Sequence, residues 1–106
     1  MRNRFLGALL GLACGDAVGT TVEFNRRGSF ETVTDMVGSG PFRLNPGEWT
    51  VDTSMALCLA TSLIEIGNFD PVDQMGRYTR WMRDGYLSST GECFDIGLTV
   101  SRALRE

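Results

Sequence analysis

Five oxygen-bearing side chains stand in surroundings that single them out: Asp16, Glu23, Thr50, Asp52 and Asp95. Asp16 lies inside an otherwise apolar stretch, where an unpaired carboxylate is costly to bury. It must therefore be paired, solvated or bound to a cation. Glu23 follows seven residues later, past Gly19. Thr50 and Asp52 are one residue apart at the mouth of an apolar run, and Asp95 precedes Ile96-Gly97 and another such run. Oxygen donors unaccompanied by His or Cys select Mg²⁺, Mn²⁺ or Ca²⁺ over zinc. The structural alternative is helix capping, because Ser, Thr and Asp are the preferred residues at helix starts. From spacing alone both uses stay open for Thr50, Asp52 and Asp95.

The rest of the composition narrows the chemistry. The 106 residues include ten Arg and thirteen acidic residues, with no His and no Lys, for a net charge of −3. Without His there is no imidazole base and no Ser-His-Asp triad. Without Lys there is no Schiff base and no phosphate-binding lysine of the P-loop type. Nucleic-acid binding is not expected from this charge, since it needs an excess of basic residues. A 42% hydrophobic content and 22% charge describe a globular chain, and the length suits one domain spanning residues 1–106.

Cys14, Cys58 and Cys93 are too few and too irregularly spaced for a disulfide framework or a zinc site. Cys14 and Cys58 lie in apolar runs and are expected to be inert core thiols, which implies a reducing, cytoplasmic setting. Arg2 and Arg4 before Phe5–Ala13 imitate a short signal peptide. Gly11, however, stands where a lipoprotein cleavage site wants a large aliphatic residue. That apolar run also falls short of the roughly 18 residues a membrane span needs, so no membrane partner is expected.

The elements that must position the five side chains are helical. Residues 3–18 predict a helix apolar on nearly all sides, hence buried. Gly7, Gly11, Gly15 and Gly19 form a stripe along it, suggesting close approach by a neighbouring helix or a ligand, with tight helix packing expected at Gly7 and Gly11. Residues 25–49 are rich in Gly, Pro and Ser and predict turns, with one short element at Phe30–Val37. A second, central helix is expected from Asp52 to Ile66, capped by Thr50 or Asp52 and stopped by Gly67. A third runs from Asp70-Pro71 to Gly85, its buried stripe Met75, Tyr78, Trp81 and Met82. A fourth begins near Asp95 and continues through Leu104. Ala103–Glu106 carries no stop signal, so the pattern reads as the first part of a longer one. No stretch alternates with period two, and the class is all-α.

These motifs together resemble the ADP-ribosylglycohydrolase family. The opening Leu6-Gly7-Ala8-Leu9-Leu10-Gly11-Leu12-Ala13-Cys14-Gly15-Asp16-Ala17-Val18-Gly19 with Glu23 is similar to that family's first signature. Gly47-Glu48-Trp49-Thr50-Val51-Asp52-Thr53-Ser54-Met55 resembles its G-x-W-T-D-D-T-S-M metal-binding stretch, and Cys93-Phe94-Asp95-Ile96-Gly97 its third. The resemblance implies an orthogonal helical bundle holding two Mg²⁺ or Mn²⁺ ions, acting on an ADP-ribosylated protein or a small ADP-ribosyl compound. By carry-over, Thr50, Asp52 and Glu23 would be metal ligands and Glu23 and Asp95 the catalytic pair. Asp95 and Gly97 would contact the substrate, and Asp16 would support the site from behind.

Two departures accompany the match. Val51 stands where the family has the first of two adjacent aspartates. Family members are two to three times longer, and their Asp-x-Asp-Thr metal stretch has no counterpart after Asp95. The chain is therefore expected to form a partial, catalytically incomplete domain. The alternative is a degenerate, non-catalytic binding or oligomerisation module. Apolar helices with too few partners predict a homo-oligomer in either case.

Overall fold

The sequence from Phe5 to Ala17, apolar but for Asp16, folds as a single helix, α1 (Arg2–Gly19), which runs directly into a 3₁₀ turn at Thr20–Val22. Three more helices follow: α2 (Val51–Ile66), α3 (Pro71–Asp84) and α4 (Leu98–Arg105). The structure, a computed structural model, describes residues 1–106. It is all-α, as expected, with one isolated bridge between Ser39 and Leu44 and no strand. Helix α2 is central, packing against both α1 and α3, while α4 packs on α3.

Local signals account for the ends of α3. The Asp70 carboxylate accepts from the Val72 and Asp73 amides at 3.0 Å each, Pro71 opens the first turn, and Gly85 ends the helix in the left-handed region. Gly67 stops α2 in the same way. The start of α2 differs from expectation: Thr50 occupies the N-cap position but its own side chain makes no cap. Helix α4 begins at Leu98 behind Gly97, not near Asp95, because Asp95 itself adopts a left-handed φ of 60° that a helix cannot include.

On α3 the buried residues are Arg77 and Trp81, whereas Met75 is exposed. Arg77 donates to Asp73 and Glu65, each at 2.7 Å, and to the Tyr86 hydroxyl at 3.0 Å. The Cys58 thiol, buried and pushed up to about 11 by that burial, faces the Arg77 carbonyl at 3.7 Å. It is the inert core thiol expected of it. Cys14, by contrast, is exposed.

The long connection before α2 holds no regular element at Phe30–Val37. Within it, residues 39–44 form a tight turn. Ser39 and Leu44 exchange backbone hydrogen bonds at 2.7 and 3.1 Å, and the Arg43 amide donates to the Gly40 carbonyl at 3.2 Å. The turn seats on the 3₁₀ segment, where the Thr21 hydroxyl donates to the Gly38 carbonyl at 2.7 Å. Gly38 and Gly40 both have positive φ, and a Cβ on Gly40 would come within 2.7 Å of the Thr20 carbonyl oxygen. Only glycine allows that approach.

Only 13 of the 106 residues are buried, and α1 contributes just Ala17. The expected burial of α1 on nearly all sides is therefore not met: Phe5 is 70% and Leu10 60% exposed, as is Ile64 of α2 at 80%. The radius of gyration is 14.9 Å, against about 13 Å for a compact domain of this length. The accessible surface is 7417 Å², roughly 1,500 Å² more than the about 5,900 Å² typical of a compact 11.7 kDa protein. The apolar faces of α1 and α2 are left largely uncovered by the other helices. The helical stretch Arg2–Val22 is 21 residues, long and apolar enough to cross a membrane, which the shorter apolar run considered above is not. Core helices and signal sequences share that length and composition.

Candidate functional site

The last turn of α1 brings Asp16 to the N-terminus of α2. One carboxylate oxygen accepts from the Thr50 amide at 2.9 Å, the Thr53 amide at 3.2 Å and the Thr53 hydroxyl at 2.7 Å. The other accepts from the Thr50 hydroxyl at 2.5 Å. Asp16 thus performs from another helix the capping that Thr50 or Asp52 was expected to perform locally. A carboxylate against a helix N-terminus is further favoured by the macrodipole. The residue before the cap is pinned as well: the Trp49 indole N–H lies 3.2 Å from the Ser54 hydroxyl, and Ser89 donates to the Trp49 carbonyl at 2.6 Å. These contacts turn the Thr50–Asp52 stretch toward the end of α1.

A cavity of about 380 Å³ opens there. Asp16, Glu23, Asp52 and Asp95 line it together with Thr20 and Thr50, and Gly11, Gly15 and Gly19 form part of its wall. A Cβ at Gly7 or at any of these three glycines would meet nothing within 4 Å. The tight helix packing expected at Gly7 and Gly11 is absent, because no neighbouring helix approaches the stripe. No arginine lines the cavity.

Four carboxylates meet around one cavity without a cationic side chain, and two of them titrate away from their ordinary values. Glu23 titrates above its ordinary value, through burial first, then Asp95, with Asp52 and Asp16 adding; the Thr20 hydroxyl, 3.5 Å away, opposes the shift. Asp95 is also raised, by burial first, with Thr50 opposing and Asp52 and Asp16 adding. Its backbone sits in the left-handed region, which Asp tolerates better than most residues. Burial and like charge together disfavour ionisation, and an added cation would oppose both by favouring the charged form.

Sequence reasoning named Glu23, Thr50, Asp52, Asp95 and Asp16, and all five reach this cavity. Gly97 does not: it is the N-cap of α4, outside the lining. Asp16 lines the cavity directly as well as bracing it. Thr20 and Thr53 were missed, although the Thr50-x-x-Thr53 spacing at a helix start is a signal for paired hydroxyls. The donors suit a hard cation in kind, but no three acidic side chains converge closely enough to hold one ion. Val51, half-buried at the first position of α2, adds no oxygen between Thr50 and Asp52. The residues present thus fit part of such a site and not the whole of one.

The ADP-ribosylglycohydrolase family model matches residues 1–106. The chain is 58% identical over 100 residues to the ADP-ribosylarginine hydrolase Tri1 of Serratia proteamaculans (strain 568), an alignment covering 94% of this chain and 27% of that protein. It is 38% identical over 109 residues to the ADP-ribosyl-(dinitrogen reductase) glycohydrolase of Rhodospirillum rubrum, covering 99% of this chain and 35% of that one. A solved structure described as an ADP-ribosylglycohydrolase-related protein complex superposes with a TM-score of 0.76 at 60% identity, over 80% of this chain and 30% of that one. The chain thus spans about a quarter to a third of the length of the relatives it matches. Sequence and fold agree, and the chain belongs to the ADP-ribosylglycohydrolase family.

Proposed function

We propose that the acidic cavity is one wall of a hydrolase site for ADP-ribosyl groups, with Mg²⁺ or Mn²⁺ as its cofactor. The observation that carries this reading is the meeting of Asp16, Glu23, Asp52 and Asp95 around one cavity with no cationic side chain. Thr50, Asp52 and Glu23 would hold the cation. Bound there, it would polarise a water and orient ribose hydroxyls. Asp95 would position the substrate ribose by accepting from its hydroxyls. Glu23, beside the cation and across the cavity from Asp95, would hold or release a proton near the scissile bond. Asp16 would keep Thr50 in register. The names of the similar Serratia and Rhodospirillum proteins support an ADP-ribosylated substrate, and the Serratia one an arginine linkage. Three free cysteines suit a cytoplasmic setting.

Because the chain spans so little of its relatives, and because Val51 supplies no ligand, residues 1–106 alone should bind the cation weakly. Titration with Mn²⁺ tests this. The Val51→Asp variant should bind about tenfold more tightly, since affinity follows ligand charge count, and Asp52→Asn should weaken binding. Identical Mn²⁺ affinity in all three proteins contradicts the reading.

A second reading, a non-catalytic binding or oligomerisation module, is favoured by the exposed side chains Phe5, Leu9, Leu12, Leu63 and Ile64 on α1 and α2. Apolar patches of this kind drive association, and a homo-oligomer through this face is the form we propose. Sedimentation at rising concentration should reveal a dimer or larger; a monomer throughout contradicts it.

A further inference from the structure

Two of the cavity carboxylates have an aromatic residue as their chain neighbour: Phe24 follows Glu23, and Phe94 precedes Asp95. The two rings meet through a third. Phe42 lies edge-on to Phe24, with centroids 6.4 Å apart, and tilts against Phe94 at 5.3 Å. Both separations fall in the range aromatic pairs prefer. Phe42 stands in the 39–44 turn, which two backbone hydrogen bonds close and which Thr21 ties to the 3₁₀ segment. The support behind the ring is therefore firm, while the residues it touches need holding. Phe24 is 79% exposed with a left-handed φ of 67°, unusual for a bulky residue. Asp95 shares that backbone region, at 60°.

Building on the hydrolase reading above, we propose that Phe42 is a positioning residue: wedged between Phe24 and Phe94, it fixes the spacing of Glu23 and Asp95 across the cavity. Neither carboxylate is gripped by an ion pair, because no arginine lines the cavity. The aromatic bridge spans the segments that carry them and does so through a turn already seated on α1's extension. A smaller side chain at Phe42 leaves both segments without that stop. A second cavity of about 210 Å³ borders Phe42, Leu44 and Phe94, and a tyrosine at Phe42 keeps the ring that makes both aromatic contacts.

The test compares backbone order by ¹⁵N relaxation in the unmodified chain, Phe42→Ala and Phe42→Tyr. In Phe42→Ala the order parameters at Glu23–Phe24 and at Phe94–Asp95 should fall from about 0.85 to below about 0.6, while α2 and α3 keep theirs. Phe42→Tyr should match the unmodified chain. Mn²⁺ affinity, measured with the metal alone, should drop about tenfold in Phe42→Ala and recover in Phe42→Tyr. Order unchanged at either pair, or lost equally in α2 and α3, overturns the positioning role. Failure of the unmodified chain to bind Mn²⁺ overturns the hydrolase reading instead, and the relaxation data still decide whether Phe42 sets the spacing.

Discussion

Asp16 and Thr50, 34 positions apart, are joined by two hydrogen bonds: the Thr50 amide donates to one carboxylate oxygen at 2.9 Å and the hydroxyl to the other at 2.5 Å. This pair fastens the end of α1 to the start of α2, and with it one wall of the acidic cavity to another. The same carboxylate also receives the Thr53 amide and hydroxyl. Removing it strands four donors, all of them on two threonines that are almost wholly buried.

Asp16→Ala should therefore lower unfolding free energy by roughly 2–4 kcal/mol, the loss of a cap plus unsatisfied buried donors. Asp16→Asn keeps one acceptor oxygen and should lose about half as much. Urea denaturation measures both. A loss under about 0.5 kcal/mol in Asp16→Ala, the level of an ordinary surface change, contradicts this role.

Asp95→Asn should stabilise the chain at neutral pH. Burial, then Asp52 and Asp16, raise the Asp95 carboxyl above its ordinary 3.8, with Thr50 opposing. The folded state thus binds that proton more readily than the unfolded state. Stability is lost as pH rises from 3.8 through the raised value. Asparagine removes the charge and accepts the left-handed backbone. The variant's Tm should exceed that of the unmodified chain at pH 7, with the gap closing below the ordinary value. A lower Tm at pH 7 contradicts it.

Arg77 gives the opposite pH signature. Its hydrogen bond holds Asp73 below the ordinary value of 3.8, helped by Ser62. Stability from this pair is present above 3.8 and disappears as pH falls through the lowered value. Arg77→Met keeps an apolar stem in place, and its Tm should fall below the unmodified chain's at pH 7. That deficit should shrink in acid. A deficit constant from pH 7 to pH 2 would mean that lost packing, not the ion pair, sets it.

Gly40→Ala should cost at least about 1–2 kcal/mol, the penalty of a left-handed backbone for a residue with a Cβ. The φ is +70°, and the new Cβ would meet the Thr20 carbonyl at 2.7 Å. Thermal melting measures the loss, and the Phe42 ring resonances should shift with the displaced turn. A neutral substitution would mean that the turn does not press on the 3₁₀ segment.

Legibility followed the range of the interaction. The ends of α3 were readable because Asp70, Pro71 and Gly85 act on their own turns. The five cavity residues were nameable because their motifs lie in short, recognisable stretches. What Asp16 does there was not, since its partners are a helix away. Burial of α1 was misjudged because an apolar pattern records that a face is covered without recording by what. Gly97 fell outside the cavity because Asp95 turns left-handed before α4 begins. Arg77 carried one overlooked local signal, its i, i+4 spacing from Asp73.

The most direct test of the central claim is hydrolysis of ADP-ribosylarginine by a chimera in which the aligned 94% of this chain replaces its matching stretch in the Serratia protein. With Mn²⁺ present, the chimera should release ADP-ribose slowly, Val51→Asp should raise the rate about tenfold, and Glu23→Gln should lower it by a factor of about 10²–10⁴. If the Val51→Asp chimera is inert while the Serratia protein turns over under the same conditions, the acidic cavity is not a wall of a hydrolase site.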